Sequence, residues 1–255
     1  MHSTIVVIPA RMASSRFPDK PLAQILDLPM IEHVRRRATL AKGVQEVVVA
    51  TCDQVICEVV SAAGGVAVMT SDVHKRATER VAEAMAGFSG EVVVVVQGDE
   101  PLVNPADIEA VAAPFYEKPE LTRVVLLSTL EGEADYGNPN IVKAACDQQG
   151  YILFFSRAPI PYYLHPGPCP IYRETGIRAF RTDFLRTYIV LPETPLERVE
   201  SVDMLRLLEH GHDVYGVVTD QRTVGVDHPG DIAIVEEILR TDPVQEAYYN
   251  QILKD

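Results

Sequence analysis

Apolar and polar residues alternate along the first half of the chain in blocks that predict strands and helices in turn. Short apolar runs predict buried strands at residues 5–8, 47–50, 66–69 and 92–96, and the last run is five consecutive valines. Segments with apolar residues at helical spacing follow the first three runs, at residues 29–41, 54–63 and 77–85. This alternation predicts an α/β fold with a mostly parallel, doubly wound sheet and helices on both faces.

The pattern changes after a further helix predicted to begin at Pro105. Residues 124–129, 140–145 and 151–155 predict three strands with no helices between them, which indicates a smaller mixed lobe. Residues 159–170 contain five prolines and predict a loop. The remaining apolar runs predict strands at 177–180 and 214–218 and helices at 183–189, 196–210 and 229–239, with a helical tail.

Charge and composition narrow the class of protein. The chain has 255 residues, 47% of them apolar, and a formal net charge of −13. Nucleic-acid binding is not expected, since it depends on clustered cations that displace counterions. No apolar run is long enough for a membrane span and no signal segment is visible at the N-terminus, so we expect a cytoplasmic protein. The four cysteines form no Cys-x-x-Cys pair and predict reduced thiols.

The loop after the first predicted strand is cationic and rich in small residues. Arg11, Arg16 and Lys20 stand there against one acid, Asp19, while Ala10 and Ser14 let the backbone approach a ligand closely. Side-chain cations and backbone N–H groups on such a loop suit a polyphosphate. Composition alone favours the alternative, an ordinary loop between a strand and a helix with a solvated basic face.

Two acids follow predicted strands. Asp99 comes directly after the valine run, in Gln97-Gly98-Asp99, and Asp227 follows an apolar stretch farther along. Ligands of parallel sheets bind at the carboxyl ends of the strands, and carboxylates are suitable ligands for Mg²⁺. The alternative is that both acids cap helices, and Asp231 could favour the dipole of the last helix. Whether Asp231 also contributes to the metal stays open.

Two further arginines are candidates for binding a substrate. Arg80 ends a polar stretch that begins at Met69 and could face a nucleotide, although its composition also fits a solvated loop. Arg157 lies between a predicted strand and the proline-rich loop, which suits the binding of an acidic substrate.

Taken in order, the motifs resemble those of a known family. They are IPAR–SSR–PDKP, PMIEHV, VVVAT, MTS–H, VVVQGDEP, FSRAPIP and GVD–D, from Ile5 to Asp231. The chain resembles the 3-deoxy-D-manno-octulosonate cytidylyltransferases, or CMP-KDO synthetases. The resemblance implies a homodimeric, Rossmann-like nucleotidyltransferase that uses CTP and Mg²⁺, releases pyrophosphate and attaches CMP to an acidic acceptor. Residues 1–255 would form one domain, with a CTP-binding half at about 1–120 and an acceptor-binding and dimerisation lobe at about 121–220.

The resemblance also implies roles for individual residues. Arg11, Arg16 and Lys20 match the triphosphate-binding loop and are the expected catalytic residues, with Ala10 and Ser14 beside them. Arg80 and Gln97 match positions that read cytosine, and Asp99 and Asp227 match the metal ligands. Arg157 matches a position that holds the carboxylate of the acceptor.

The chain departs from the family pattern mainly where the acceptor is expected. Glu174 and Arg178 stand where the family usually has His and Tyr, and Asp203-Met204 replaces Glu-Gln. A site built to pair the hydroxyl groups of a sugar discriminates by roughly 10⁴-fold or more when those partners are missing. We therefore expect Arg157, Glu174, Arg178 and Asp203 to bind a small anionic acceptor.

These departures favour a phosphonate acceptor such as phosphonoformate, the substrate of a related cytidylyltransferase. The alternative is a CMP-KDO synthetase acting on 3-deoxy-D-manno-octulosonate or a related sugar acid. A catalytically inactive, nucleotide-binding regulatory protein is a third hypothesis, which the presence of Lys20, Asp99 and Asp227 disfavours.

Overall fold

The computed structural model describes residues 3–13, 17–74, 76–130, 132–165, 169–221 and 224–254. The strands are β1 (Thr4–Ala10), β2 (Gln24–Ile25), β3 (Leu28–Pro29), β4 (Val44–Thr51), β5 (Val66–Met69), β6 (Val92–Val95), β7 (Arg123–Thr129), β8 (Lys143–Cys146), β9 (Ile152–Ser156), β10 (Tyr172–Arg181) and β11 (Tyr215–Thr219). The α-helices are α1 (Met30–Thr39), α2 (Gln54–Ala62), α3 (Ala77–Ala84), α4 (Pro105–Ala112), α5 (Pro114–Glu117), α6 (Glu133–Gly137), α7 (Thr182–Val190), α8 (Pro195–Glu200), α9 (Met204–Glu209), α10 (Asp231–Thr241) and α11 (Pro243–Ile252). Short 3₁₀ helices cover Lys20–Leu22 and Met85–Gly87.

The chain forms two compact units, Met1–Glu109 with Thr223–Asp255, and Ala110–Arg222. The first unit contains a parallel sheet in the order β6-β1-β4-β5. Its central strands are buried on both faces, as the unbroken apolar runs predict: Val6 pairs with Val47 on one side and Val94 on the other, and the side chains of Val6 and Val94 are inaccessible to solvent.

The C-terminal helices belong to the first unit and pack beside its first loop. A buried cluster joins Ile25 and Met30 to Val226, Leu239 and Tyr249. The guanidinium of Arg37 in α1 is also buried, and it donates to the side chain and main chain of Gln245 in α11. Because α10 and α11 are fixed there, the segment just before them is fixed close to the carboxyl ends of the parallel strands.

The second unit contains a mixed sheet. β7 lies between β11, to which it runs parallel, and β10, to which it runs antiparallel; β8 pairs with β10 and with β9. The register of β10 against β7 shifts between Glu174 and Arg178, where Gly176 has a φ of +88°. A residue with a Cβ rarely adopts this φ, so glycine permits the bulge.

The α/β prediction is confirmed, with a parallel sheet in one unit and a mixed sheet in the other, but two details were wrong. The helix predicted at 196–210 is two helices, α8 and α9, because Ser201 adopts a left-handed conformation with a φ of 52° and ends the first. The strands β7 and β8 are separated by the short helix α6, where no helix was predicted. Among the described residues, no helix has the length and apolarity needed to cross a membrane.

Candidate active site

A cleft of about 340 Å³ opens at the carboxyl ends of the parallel strands in the first unit. It is lined by Pro9, Ala10, Arg11, Ala13, Lys20, Pro21, His74, Arg76, Ala77, Arg80, Gln97, Gly98, Asp99 and Asp227. The structure thus brings together all the predicted nucleotide and metal residues that it describes. Ser14 and Arg16 lie outside the described residues.

The parallel sheet explains why these residues meet. β1 ends at Ala10 and its neighbour β6 ends at Val95, so the loops that follow the two strands leave the sheet at the same edge. Gly98 lets these loops approach each other, because a Cβ at this position would lie 3.0 Å from the carbonyl oxygen of Pro9. The need for glycine here comes from close backbone contact and not from an unusual φ.

Lys20 connects three segments of the cleft. Its Nζ donates to Asp99 Oδ2 at 2.6 Å and to the carbonyl oxygen of Val226 at 2.8 Å. The backbone N–H of Val226 donates in turn to the carbonyl oxygen of Asp99 at 2.9 Å. Lys20, the predicted phosphate-binding lysine, is therefore paired with the predicted metal ligand Asp99. It also contacts Val226, the residue just before the second predicted metal ligand, Asp227.

The carboxylate of Asp231 shapes the backbone that carries Asp227. Its Oδ2 accepts the backbone N–H groups of Asp227 and His228, each at 2.8 Å. Burial opposes the charged form, but these two N–H donors outweigh burial and lower the pKa of Asp231. Asp231 is the first residue of α10, so this acid orders the turn before the helix in addition to any effect on the helix dipole.

Arg80 is held at the end of β5. Its side chain is almost fully buried, and Nη1 donates to Thr70 Oγ1 and to the carbonyl oxygen of Ser71. Thr70 is itself attached to the neighbouring strand, since its N–H donates to the carbonyl oxygen of Thr51 at 2.8 Å. These bonds fix the guanidinium at one wall of the cleft.

His74 and Arg76 also line the cleft, although the sequence motifs did not predict them as site residues. The His74 ring pairs with the carboxylate of Glu83, which also accepts the backbone N–H of Ser71. These two hydrogen bonds, the one from His74 first, lower the pKa of Glu83. Their position could have indicated both residues, because they lie in the polar segment between β5 and α3, and Arg80 follows in the first half of α3.

In the second unit, the bulge in β10 creates a buried ion triad of Glu174, Arg178 and Asp203. In a regular strand, the Cα atoms of residues four apart are separated by about 13 Å. Here the side chains of two such residues meet, and Arg178 Nε lies 2.6 Å from Glu174 Oε1. Arg178 Nη1 lies 2.5 Å from Asp203 Oδ1. The side chains of Arg178, Asp203 and Glu174 are only 11%, 9% and 3% exposed.

The triad has more negative than positive charge. Burial opposes the charged form of Arg178, but the carboxylates of Asp203 and Glu174 outweigh it and raise its pKa well above the ordinary value. Three of the predicted acceptor residues are therefore in contact, and the positive charge of Arg178 is matched within the protein. The pairing of Arg178 with Glu174 explains the joint presence of these two departures from the family pattern.

Arg157 is positioned mainly by main-chain carbonyl groups. Its Nε donates to the carbonyl oxygen of Glu200 at 2.7 Å and Nη1 donates to that of Pro139 at 3.0 Å. The carboxylate of Glu200 accepts the backbone N–H of Arg157 and the hydroxyl of Ser156. Among the described residues no carboxylate pairs with the Arg157 guanidinium, so its charge is available to an anionic ligand.

Comparisons with known proteins all point to the cytidylyltransferases. A family model described as cytidylyltransferase matches residues 5–214. The 3-deoxy-manno-octulosonate cytidylyltransferase of Syntrophotalea carbinolica is 44% identical over 247 residues, which cover 93% of this chain and 99% of that protein. That of Geobacter sulfurreducens is 40% identical and covers 92% and 98%. The structure of a CMP:2-keto-3-deoxy-manno-octonic acid synthetase complexed with CTP superimposes with a TM-score of 0.90 at 36% identity, covering 94% and 99%.

Proposed function

Because this chain belongs to the cytidylyltransferase family that contains the CMP-KDO synthetases, we propose that it transfers CMP from CTP to 3-deoxy-manno-octulosonate or a closely related sugar acid. The observation that carries this proposal is the cleft in which Arg11, Lys20 and Arg80 meet Asp99 and Asp227. Cations for a triphosphate and paired acids for a divalent metal are the groups that nucleotidyl transfer requires.

The cationic residues have different tasks in this proposal. Arg11 and Lys20 bind the phosphates of CTP and neutralise the charge that develops on pyrophosphate as it leaves. Arg80 and Gln97 contact the base. Arg80 is held by Thr70 and Ser71 before any ligand binds, so little ordering is required of it when the nucleotide enters.

The donor set fits Mg²⁺. This ion is commonly held by one or two carboxylates together with phosphate oxygens of the substrate and water. Asp99 and Asp227 line the same cleft and supply two carboxylates, although among the described residues no group of three or more His, Cys, Asp or Glu side chains is suited to hold a metal. We propose that these two aspartates hold Mg²⁺, which when bound neutralises charge at the α-phosphate.

The reaction exchanges one phosphorus–oxygen bond for another. A hydroxyl oxygen of the acceptor forms a bond to the α-phosphorus, and the bond from that phosphorus to the bridging oxygen breaks. The electron pair leaves with pyrophosphate and the hydroxyl proton passes to solvent. Holding both reactants in line accounts for much of the rate enhancement in such a transfer.

The ion triad favours the sugar acid over a phosphonate. The phosphonate hypothesis needs Arg178 to bind a second anionic group, but Asp203 and Glu174 already match its charge. A dianionic phosphonate would face two buried carboxylates with one cation between them, which is an unfavourable field. Arg157, which has no carboxylate partner among the described residues, suffices for the single carboxylate of a sugar acid.

A pyrophosphate-release assay tests this proposal. The purified protein is incubated with CTP, Mg²⁺ and either 3-deoxy-manno-octulosonate, phosphonoformate or no acceptor. We expect release with the sugar acid and none without an acceptor. Release with phosphonoformate alone would replace the sugar acid by a phosphonate as the substrate. No release with either acceptor, together with tight CTP binding, would favour the regulatory hypothesis.

A further inference from the structure

We propose that Asp53 is a positioning residue for nucleotide binding, which holds the start of the cationic loop in the geometry that receives the phosphates of CTP. This inference rests on the proposed use of CTP and adds a residue that does not line the cleft. The observation behind it is a hydrogen bond from the backbone N–H of Met12 to Asp53 Oδ2, with a length of 2.8 Å. The bond connects residues 41 positions apart and is partly buried.

The side chain of Asp53 does not perform the local task that its position predicts. Asp53 is the N-cap residue of α2, and an aspartate there usually accepts N–H groups of its own helix. Its side chain makes no capping hydrogen bond, and its carboxylate accepts from Met12 instead. Helix α2 therefore lacks the usual capping hydrogen bond from this side chain, and the backbone of the cationic loop is held at Met12.

The chain contains a direct contrast in the N-cap residue of α11. Asp242 has the same type of side chain at the same helical position, and it accepts the N–H groups of Val244 at 2.8 Å and Gln245 at 3.1 Å. Asp242 therefore shows what a purely structural N-cap looks like in this protein.

Asp53 stands where it can affect the nucleotide. Met12 follows Arg11, a cation of the cleft, and Asp53 follows the end of β4, whose last residue Thr51 pairs with Ala10 at the end of β1. Thr51 Oγ1 accepts the backbone N–H of Asp53 at 3.1 Å, which fixes the turn that presents the carboxylate. The carboxylate thus ties the backbone beside Arg11 to the rigid sheet.

The expected effect follows from the type of hydrogen bond. A bond from an N–H group to a charged acceptor contributes more than a neutral one, and its loss also leaves the partly buried N–H of Met12 without this partner. If the bond orders the loop for CTP, Asp53→Ala should weaken CTP binding about ten-fold. Asp53→Asn keeps an oxygen acceptor and should stay within about three-fold of the wild type.

The experiment measures the Kd of CTP by calorimetry and the melting temperature for the wild type, Asp53→Ala, Asp53→Asn and Asp242→Ala. The control variant Asp242→Ala should lower the melting temperature by about 2–4 °C without changing the Kd. Asp53→Ala should differ from this control by a higher Kd, and its melting temperature should also fall because the lost hydrogen bond contributes to the folded state. In turnover assays, the KM of Asp53→Ala for CTP should rise by a larger factor than its kcat falls.

Two results would overturn the inference. One is a Kd for Asp53→Ala within two-fold of the wild type, which would mean that the bond does not order the loop for the nucleotide. The other is an equal loss of CTP binding in Asp53→Ala and Asp242→Ala, which would indicate general destabilisation. Because the Kd is measured without an acceptor, a wrong choice of acceptor leaves the test unaffected, whereas a wild type that does not bind CTP would refute the proposed function itself.

Discussion

Removal of the Arg178 guanidinium should destabilise the second unit far more than removal of an exposed arginine. In Arg178→Ala, the buried carboxylates of Glu174 and Asp203 would lose the cation that lies 2.6 Å and 2.5 Å from them. Breaking a buried ion pair by removing one partner typically costs about 3–5 kcal/mol, because the remaining charge stays desolvated. For a chain of this size, that loss corresponds to a fall in melting temperature of the order of 10 °C.

The assay is thermal or urea-induced unfolding at neutral pH, with Arg186→Ala as the matched control. Arg186 lies on α7 of the same unit, is 79% exposed and has only a distant contact of 3.9 Å with Asp183. Its removal should leave the melting temperature unchanged within error. The raised pKa of Arg178 adds a second expectation: its charge persists at every pH below its ordinary pKa, so its own titration should not change the stability across the neutral range.

A small change in stability would refute this reasoning. If Arg178→Ala melts within about 2 °C of the wild type while the KM of the acceptor rises strongly, Arg178 binds substrate and the triad does not neutralise it. The phosphonate hypothesis would then regain its main support.

Three further predictions concern the site and the core. Asp99→Asn and Asp227→Asn should each lower kcat by at least about 100-fold at limiting Mg²⁺, because each removes an anionic ligand from a hard cation; pyrophosphate release within a few-fold of the wild type would contradict this. CTP should exceed UTP in kcat/KM by about 100-fold or more, since the two bases present opposite hydrogen-bonding groups at position 4; equal values would contradict base recognition. Burial, opposed by the hydrogen bond between its Nε2 and the carbonyl oxygen of Ile25, lowers the pKa of His33 to about 4. The folded protein therefore favours neutral His33. The contribution of His33 to the free energy of unfolding should be fully present above pH 6.5 and should decrease by about 3 kcal/mol between pH 6.5 and pH 4. Urea unfolding across this range should show a flatter pH dependence for His33→Gln, and an unchanged slope would contradict the assignment.

The sequence predicted the parallel sheet and most of the cleft because both depend on local patterns. Five consecutive valines are compatible with few structures other than a strand covered on both faces, and the carboxyl ends of such strands meet at one edge. Once Asp99 and the loop that carries Lys20 are known to follow neighbouring strands, their proximity follows from topology. The motif around Asp227 predicted that this residue belongs to the site, although the local sequence does not show that residues 226 and 99 are in contact.

Contacts over long sequence separations could not be predicted in this way. The bond between Lys20 and Val226 connects residues 206 positions apart, and that between Met12 and Asp53 connects residues 41 apart. The bulge at Gly176 was equally hidden, because β10 looks like an ordinary strand in sequence and its register is set by pairing with β7. This bulge changes the interpretation of Arg178, since it brings Glu174 within hydrogen-bonding distance.

The most direct test of the proposed function is the identity of the product formed when both candidate acceptors compete. The protein is incubated with CTP, Mg²⁺ and equal concentrations of 3-deoxy-manno-octulosonate and phosphonoformate, and the nucleotide product is examined by phosphorus NMR. The proposed function predicts a product with a single phosphorus signal, from the phosphodiester that joins CMP to the sugar acid, together with free pyrophosphate. Two coupled phosphorus signals, from an anhydride between CMP and the phosphonate, would contradict it.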